Sequence, residues 1–263
     1  MLELVERHPA APSERPPLLC IHGIMHGAWC WEEFFLPYFA QRGYHAYALS
    51  LRGHGGSPLS GSLRWVRVAD YVEDTLAAVE QVTQARGRLP VLIGHSMGGL
   101  IVQKYLERHA AAGAVLLASV PVGGALRALI KVALRYPLEM IAAPFSFQPA
   151  LNNARAIRWM FFSSAMPADT FERYRRRLTP ESFRAILDLS LLNTPDPSRA
   201  QRVPTLVVNG GADTLFTEAD GQRTATAYEG VYQVIPHAAH DVMLDPTWEQ
   251  CAAVIVQWLE ETV

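Results

Sequence analysis

The sequence predicts an α/β domain: a mostly parallel central sheet with helices on both faces, interrupted by a helical cap insertion. Three observations carry this. Short apolar runs of β type alternate with helical patterns from Pro16 to Ser119, as parallel strands with crossover helices require. The same rhythm returns after Arg202. Between them, Val120 to Arg202 shows no clear strand and is broken repeatedly by proline, at Pro121, Pro137, Pro144 and Pro149 among others, so it reads as helical pieces lying over the sheet. Residues 1–119 and 203–263 are therefore expected to form one core and residues 120–202 a cap.

In chain order, strands are predicted at Leu18 to Ile21, His45 to Leu49, Leu89 to Ile93 and Ala114 to Ala118, with helices at Ala28 to Ala40, Trp65 to Gln84 and Met97 to Arg108 between them. The second half adds a strand at Thr205 to Val208, a helix from Glu218 to about Tyr228, a strand at Val231 to Ile235 and a helix from Thr247 to Glu261. A chain of 263 residues, 50% of them hydrophobic, has enough apolar material for one large core.

Composition excludes several function classes. With a net charge of −2, no overall basic field recruits nucleic acid or anionic membrane. Apolar runs stop short of a membrane span, and Met1 to Pro17, with Glu3, Glu6 and Arg7, lacks the apolar stretch of a signal peptide. Cys20, Cys30 and Cys251 are too few and too scattered for a disulfide framework or a metal site, so free buried thiols and a cytoplasmic location are expected. There is no His-Glu-x-x-His helix and no phosphate-binding P-loop. No metal and no cofactor is expected.

Chemistry concentrates at Gly94-His95-Ser96-Met97-Gly98, a Gly-x-Ser-x-Gly turn between an apolar strand and an amphipathic helix. Such a turn is too tight for side chains at its glycines and presents Ser96 Oγ at its tip, beside the free N–H groups of a helix N-terminus. A serine hydroxyl is a poor nucleophile at neutral pH and needs a base and a group that orients the base. His240, on the loop after the strand Val231 to Ile235, is the candidate base, with His237 as its competitor. Asp213, after the strand Thr205 to Val208 and Gly210-Gly211, is the candidate acid; Asp220, Asp241 and Asp245 read as helix-cap or surface carboxylates. An oxyanion hole needs two amides, and Met97 and Ile24 (or its neighbour Met25) supply them. His22 and Gly23 hold that loop in shape. His95 and His54 read as structural residues, and Arg173 to Arg177 as a solvated helix face.

Candidate substrate contacts are Met25 and His26 near the oxyanion loop and Phe145, Trp159 and Phe162 in the insertion, where Phe147, Met160, Phe161 and Met166 are further apolar candidates. The expected partner is a small, partly apolar acyl compound.

Together these residues resemble the α/β-hydrolases, in which His22-Gly23, Arg52-Gly53-His54-Gly55-Gly56-Ser57, Gly94 to Gly99, Asp213 and His240 stand in the usual order. The stretch His22 to Trp31 also looks like the plant methylesterase and hydroxynitrile lyase branch, whereas Arg52 to Ser57 looks like bacterial esterases. The resemblance implies a serine hydrolase of the esterase type, acting on an ester, lactone or thioester through an acyl-enzyme. The same triad also serves C–C bond hydrolysis, perhydrolysis and acyl transfer, and a pocket under a cap also suits a non-catalytic small-ligand receptor.

Overall fold

The computed structural model describes residues 1–263. Its seven strands are β1 (Leu4–Arg7), β2 (Leu18–Ile21), β3 (Ala46–Leu49), β4 (Val91–His95), β5 (Gly113–Leu117), β6 (Thr205–Gly210) and β7 (Val231–Ile235). They form one sheet in the order β1-β3-β2-β4-β5-β6-β7, parallel throughout except for β1, which pairs antiparallel with β3. The edge strand β1 has no signature in the sequence. Its four residues Leu-Val-Glu-Arg leave two side chains exposed and carry no continuous apolar run, whereas β2 to β6 are buried at every position.

The helices in the first half are α1 (Trp29–Glu32), α2 (Phe35–Gln41), α3 (Val68–Arg86) and α4 (Met97–Leu106). The single helix expected from Ala28 to Ala40 is thus two. Pro37 has no N–H to donate and is tolerated only in a first turn, so the helix restarts at Phe35, just ahead of it. Between β5 and β6 lie six α-helices, a π-helical turn at Asp188–Leu192, a 3-10 turn at Pro197–Arg199 and no strand; the α-helices are α5 (Leu126–Arg135), α6 (Pro137–Ala142), α7 (Gln148–Asn152), α8 (Ala154–Phe161), α9 (Ala168–Arg175) and α10 (Phe183–Leu187). The remaining helices are α11 (Glu218–Ala227) and α12 (Trp248–Thr262).

Right-handed crossovers place α3 and α4 on one face of the sheet, because β3 to β4 and β4 to β5 step in one direction. The step from β2 to β3 runs the other way, which puts α2 on the opposite face. There Tyr38 of α2 and Phe34 just before it both pack on Trp248 of α12, with ring centroids 5.7 and 4.6 Å away. One apolar cluster runs from the strands into Ile157, Phe161 and Tyr174 of the helical segment. The strand register aligns the strand ends: Ile21 pairs with Gly94, His95 with Leu117, Leu117 with Val208, and Gly210 with Ile235. The loops after β2, β4, β6 and β7 therefore leave one carboxyl edge, where ligand sites of such sheets form.

Candidate active site

Gly94 and Gly98 are required at the turn after β4. A side chain on Gly94 would run into the backbone of Gly98, and one on Gly98 into the carbonyl oxygen of Ile21. Between them Ser96 holds φ +53° and ψ −114°, a conformation sparsely populated by non-glycine residues. Its backbone is fixed on both sides: Ser96 N–H donates to Leu117 C=O at 3.0 Å, and Val120 N–H donates to Ser96 C=O at 3.1 Å. Ser96 lines a cavity.

His240 lies on the loop after β7, fully buried, with Nδ1 2.8 Å from Asp213 Oδ2. Asp213 is oriented in turn by the Leu215 and Phe216 amides, which donate to Oδ1 at 2.7 and 3.2 Å. Burial disfavours a charged His240, but the charge and hydrogen bond of Asp213 outweigh it, with help from Asp241, and its pKa is raised. Nε2 of His240 is buried without a protein partner. The His240 ring sits 4.9 Å from the ring of His95, the residue before Ser96, and 5.4 Å from Phe216, which shares the cavity wall with Ser96. His237, the competing histidine, is exposed at φ +64°.

The loop after β2 carries Ile24 and Met25. Neither the Ile24 nor the Met97 N–H donates to a protein acceptor; Ile24 lines the cavity, and Met97 directly follows Ser96, which lines it too. Glycine at position 23 is explained by crowding: a side chain there would meet His95 Nδ1 at 2.8 Å and Ser96 Cβ at 3.0 Å. His22 holds the loop, Nδ1 to Gly23 C=O at 2.8 Å and Nε2 accepting the Leu51 N–H at 3.1 Å. Burial, with the nearby His54 adding to it, pushes the His22 pKa down to about 3, so it stays neutral.

The cavity is lined by 23 residues, 20 of them apolar, which suits an uncharged acyl group more than an ion. Met25 contributes to the wall, as do Phe147 and Met160. His26, Phe145, Trp159 and Phe162 do not, contrary to expectation. Both nitrogens of His26 are satisfied inside the protein, by Ile24 C=O at 2.7 Å and Asp241 Oδ2 at 3.0 Å, which draws the ring away from the cavity. Phe145 stands 79% exposed beside Arg64. Trp159 packs on Tyr136 and Arg135, and Phe162 is held between Phe171 and Tyr174.

Three buried acids on or against the site loops escape sequence reasoning. Asp241, which the sequence suggests is a cap or surface carboxylate, is fully buried and links His26 to the region of His95, whose Nε2 is 3.7 Å from Asp241 Oδ1. Asp245 is buried as well, where it accepts from the Ala239 and Thr247 amides, while Asp220 does cap α11 with Thr217. Glu181, from the helical segment, accepts from the Met25 N–H at 3.2 Å, the Tyr71 hydroxyl at 2.8 Å and the Ser182 N–H at 2.7 Å, and contacts His54 Nε2 at 3.3 Å. Burial opposes its ionisation, yet the His54 charge and these donors prevail and hold its pKa below the usual carboxylate range. Nothing in the local sequence signals Glu181, because its partners lie 110 to 156 residues away apart from Ser182.

His95, His240 and Asp241 are the group whose ligand atoms come within 4.8 Å of one another, but His240 Nδ1 and Asp241 Oδ2 are already committed to Asp213 and His26. The arginine run is committed to acids: Arg173 pairs with Glu33, Arg175 and Arg176 with Glu172. All three cysteines are free and buried, and burial raises their pKa values. No helix is long and apolar enough to cross a membrane.

Comparison with known proteins agrees with this architecture. Over 117 residues the chain is 32% identical to the esterase PIR7B of Oryza sativa subsp. japonica, covering 43% of this chain and 42% of that one, so the match spans about two fifths of that relative's length. Over 231 residues it is 26% identical to a non-heme haloperoxidase of Rhodococcus erythropolis, covering 80% and 79% of the two chains. The structure superposes on a monoacylglycerol lipase of Paleococcus ferrophilus with a TM-score of 0.73 at 21% identity, over 98% of each chain. Residues 18–254 match the model of the Alpha/beta hydrolase family, from the first buried strand into the last helix. With that match spanning all the loops that build the site, the chain belongs to the alpha/beta hydrolase family.

Proposed function

We propose that the protein is a serine hydrolase that cleaves a carboxylic ester, or a related lactone or thioester, through an acyl-enzyme. One observation carries the reading: a buried imidazole held by a buried carboxylate at 2.8 Å, its second nitrogen uncommitted, beside the turn that presents Ser96. Ser96 Oγ attacks the carbonyl carbon while His240 Nε2 takes the hydroxyl proton. Asp213 fixes the tautomer and stabilises the imidazolium. The Ile24 and Met97 amides receive the oxyanion, whose charge would otherwise stand uncompensated among apolar walls. His240 then gives its proton to the leaving alcohol and activates the water that releases the acid. Ser96 Oγ and His240 Nε2 are not hydrogen-bonded in the free protein, and substrate draws them together.

The segment 120–202 acts as the cap. Its inner face supplies most of the apolar wall, so the acyl group it admits is partly or wholly apolar. The names of the relatives, an esterase and a monoacylglycerol lipase, support ester chemistry.

The test is labelling by a fluorophosphonate combined with a panel of esters of varied acyl length. Labelling at Ser96 and turnover that both vanish in Ser96→Ala are the expected result. A folded wild-type protein that neither labels nor turns over any ester, yet is stabilised against heat by a small ligand, would instead make it a receptor.

A further inference from the structure

The helical segment carries apolar side chains on two opposite faces. Its inner face closes the cavity through Val132, Met140 and Ala143. The outer face points to water, where Leu134 is 81% and Phe145 79% exposed, with Leu138 and Ile141 close behind. Along α5, Leu126, Ile130 and Leu134 recur every fourth residue and so form one stripe. Exposed Leu191 and Leu192 extend it, because the turn they belong to hangs on α5 by the Ala125 N–H to Leu189 C=O bond of 2.9 Å. At the other end exposed Trp65 joins Phe145, with the Arg64 guanidinium 5.0 and 5.7 Å from their two rings. Apart from the two chain ends, only Leu89 and Val231 are large exposed apolar residues elsewhere. Scattered exposed leucines need no account; a gathered patch does.

The rim of this patch is cationic. Arg127, Lys131 and Arg135 form a second four-residue stripe beside the apolar one, and Arg64 closes the far end. None of the four is in an ion pair; Lys131 reaches only the Thr214 carbonyl oxygen, at 3.2 Å. The nearby acids are occupied, Asp220 with Arg223 and Thr217, and Glu139 with Asn153.

We propose that this face docks the protein on an anionic lipid surface, with Leu134, Leu138, Ile141 and Phe145 entering the acyl layer and the four cations meeting headgroup phosphates. Attachment of such faces grows with buried apolar area and with attraction of cations to anionic lipid. A second copy of the chain is the poorer occupant, since a two-fold contact would set the same unpaired cations against each other. An ester dissolved in that layer would lie just across α5 and α6 from the cavity; this last step rests on the ester-hydrolase reading, and docking itself does not.

The test is flotation of the whole protein with vesicles of phosphatidylcholine alone and with about a third phosphatidylglycerol, at low and high salt. Wild type is expected to float with the anionic vesicles and to be released by salt. The double variant Leu134→Glu with Ile141→Glu should lose at least about tenfold in binding, while hydrolysis of a short water-soluble ester and the melting temperature stay unchanged. The triple variant Arg127→Gln, Lys131→Gln, Arg135→Gln, confined to exposed side chains, should lose about fivefold per cation and carries the test should the glutamate pair unfold. Equal flotation of wild type and both variants, flotation indifferent to phosphatidylglycerol, or no flotation would each overturn the proposal. A dimer that the glutamate pair dissociates, without flotation, would assign the face to a second copy. Because flotation is scored without turnover, its failure is distinguishable from failure of the ester reading.

Discussion

His95 Nε2 donates a hydrogen bond to the carbonyl oxygen of His240 at 3.0 Å. The residue before Ser96 thus holds the backbone of the residue proposed as base, and this bond ties the turn after β4 to the loop after β7. Donation from Nε2 sets the tautomer of His95. Burial, reinforced by the neighbouring His240, pushes its pKa down to about 3, so the bond persists across the working pH range.

Removing that donor should misplace the base while leaving the apolar cavity intact. In His95→Leu, kcat is expected to fall by about a hundredfold with KM little changed, the scale of a misplacement of about 1 Å. His95→Gln, which keeps an N–H donor, should recover part of the loss. Steady-state kinetics of the two variants decide it, and a rise in KM alone would contradict the arrangement.

The raised pKa of His240 predicts the acid limb of the rate profile. Below that pKa the imidazole is protonated and accepts no proton from Ser96, so kcat/KM falls as pH falls, with an apparent pKa above the ordinary 6.5. Asp241→Asn removes one of the charges that raise it and should move the limb to lower pH. Stability responds with the opposite sign: the contribution of this pair is complete below the unfolded pKa and is lost as pH rises through the folded one.

Asp213→Asn should keep the Leu215 and Phe216 hydrogen bonds and the fold but free the tautomer of His240. A fall in kcat of about four orders of magnitude is expected, with the thermal transition unchanged at pH above the His240 pKa, where the pair no longer contributes stability. Turnover close to wild type would assign the orienting role elsewhere.

Glu181→Ala would strand the Met25 and Ser182 amides, the Tyr71 hydroxyl and His54 in a dry site. We expect a loss of about 3–5 kcal/mol in unfolding free energy by denaturant titration. The depressed pKa sets a second expectation: stability from Glu181 is present above the unfolded carboxylate pKa and is lost as pH falls through the lower folded value. The difference between wild type and variant should therefore shrink only in strong acid.

The sheet was legible because β2 to β6 are continuous apolar runs between turn signals, whereas β1, half exposed and tied to β3 alone, has no such run. The nearness of Asp213, His240 and Ser96 was legible for a related reason: each closely follows a strand, so local order along the chain implies nearness at one edge. His26, Asp241 and Glu181 were not. Asp241 and His26 are 215 residues apart and become partners only once the sheet closes. The aromatic residues of 120–202 show the limit most plainly, since the helical pattern places an apolar side chain on a face but not on which of two faces. Phe147 and Met160 turned inward, while Phe145 and Trp159 did not.

Glu181 meets Met25 across 156 residues of chain, and Met25 holds φ +64° there, with its carbonyl receiving the Thr179 N–H at 2.9 Å. Both of these partners belong to the segment whose inner face walls the cavity, so the piece of chain that shapes the space for a ligand also braces the backbone that lines it from the sheet side.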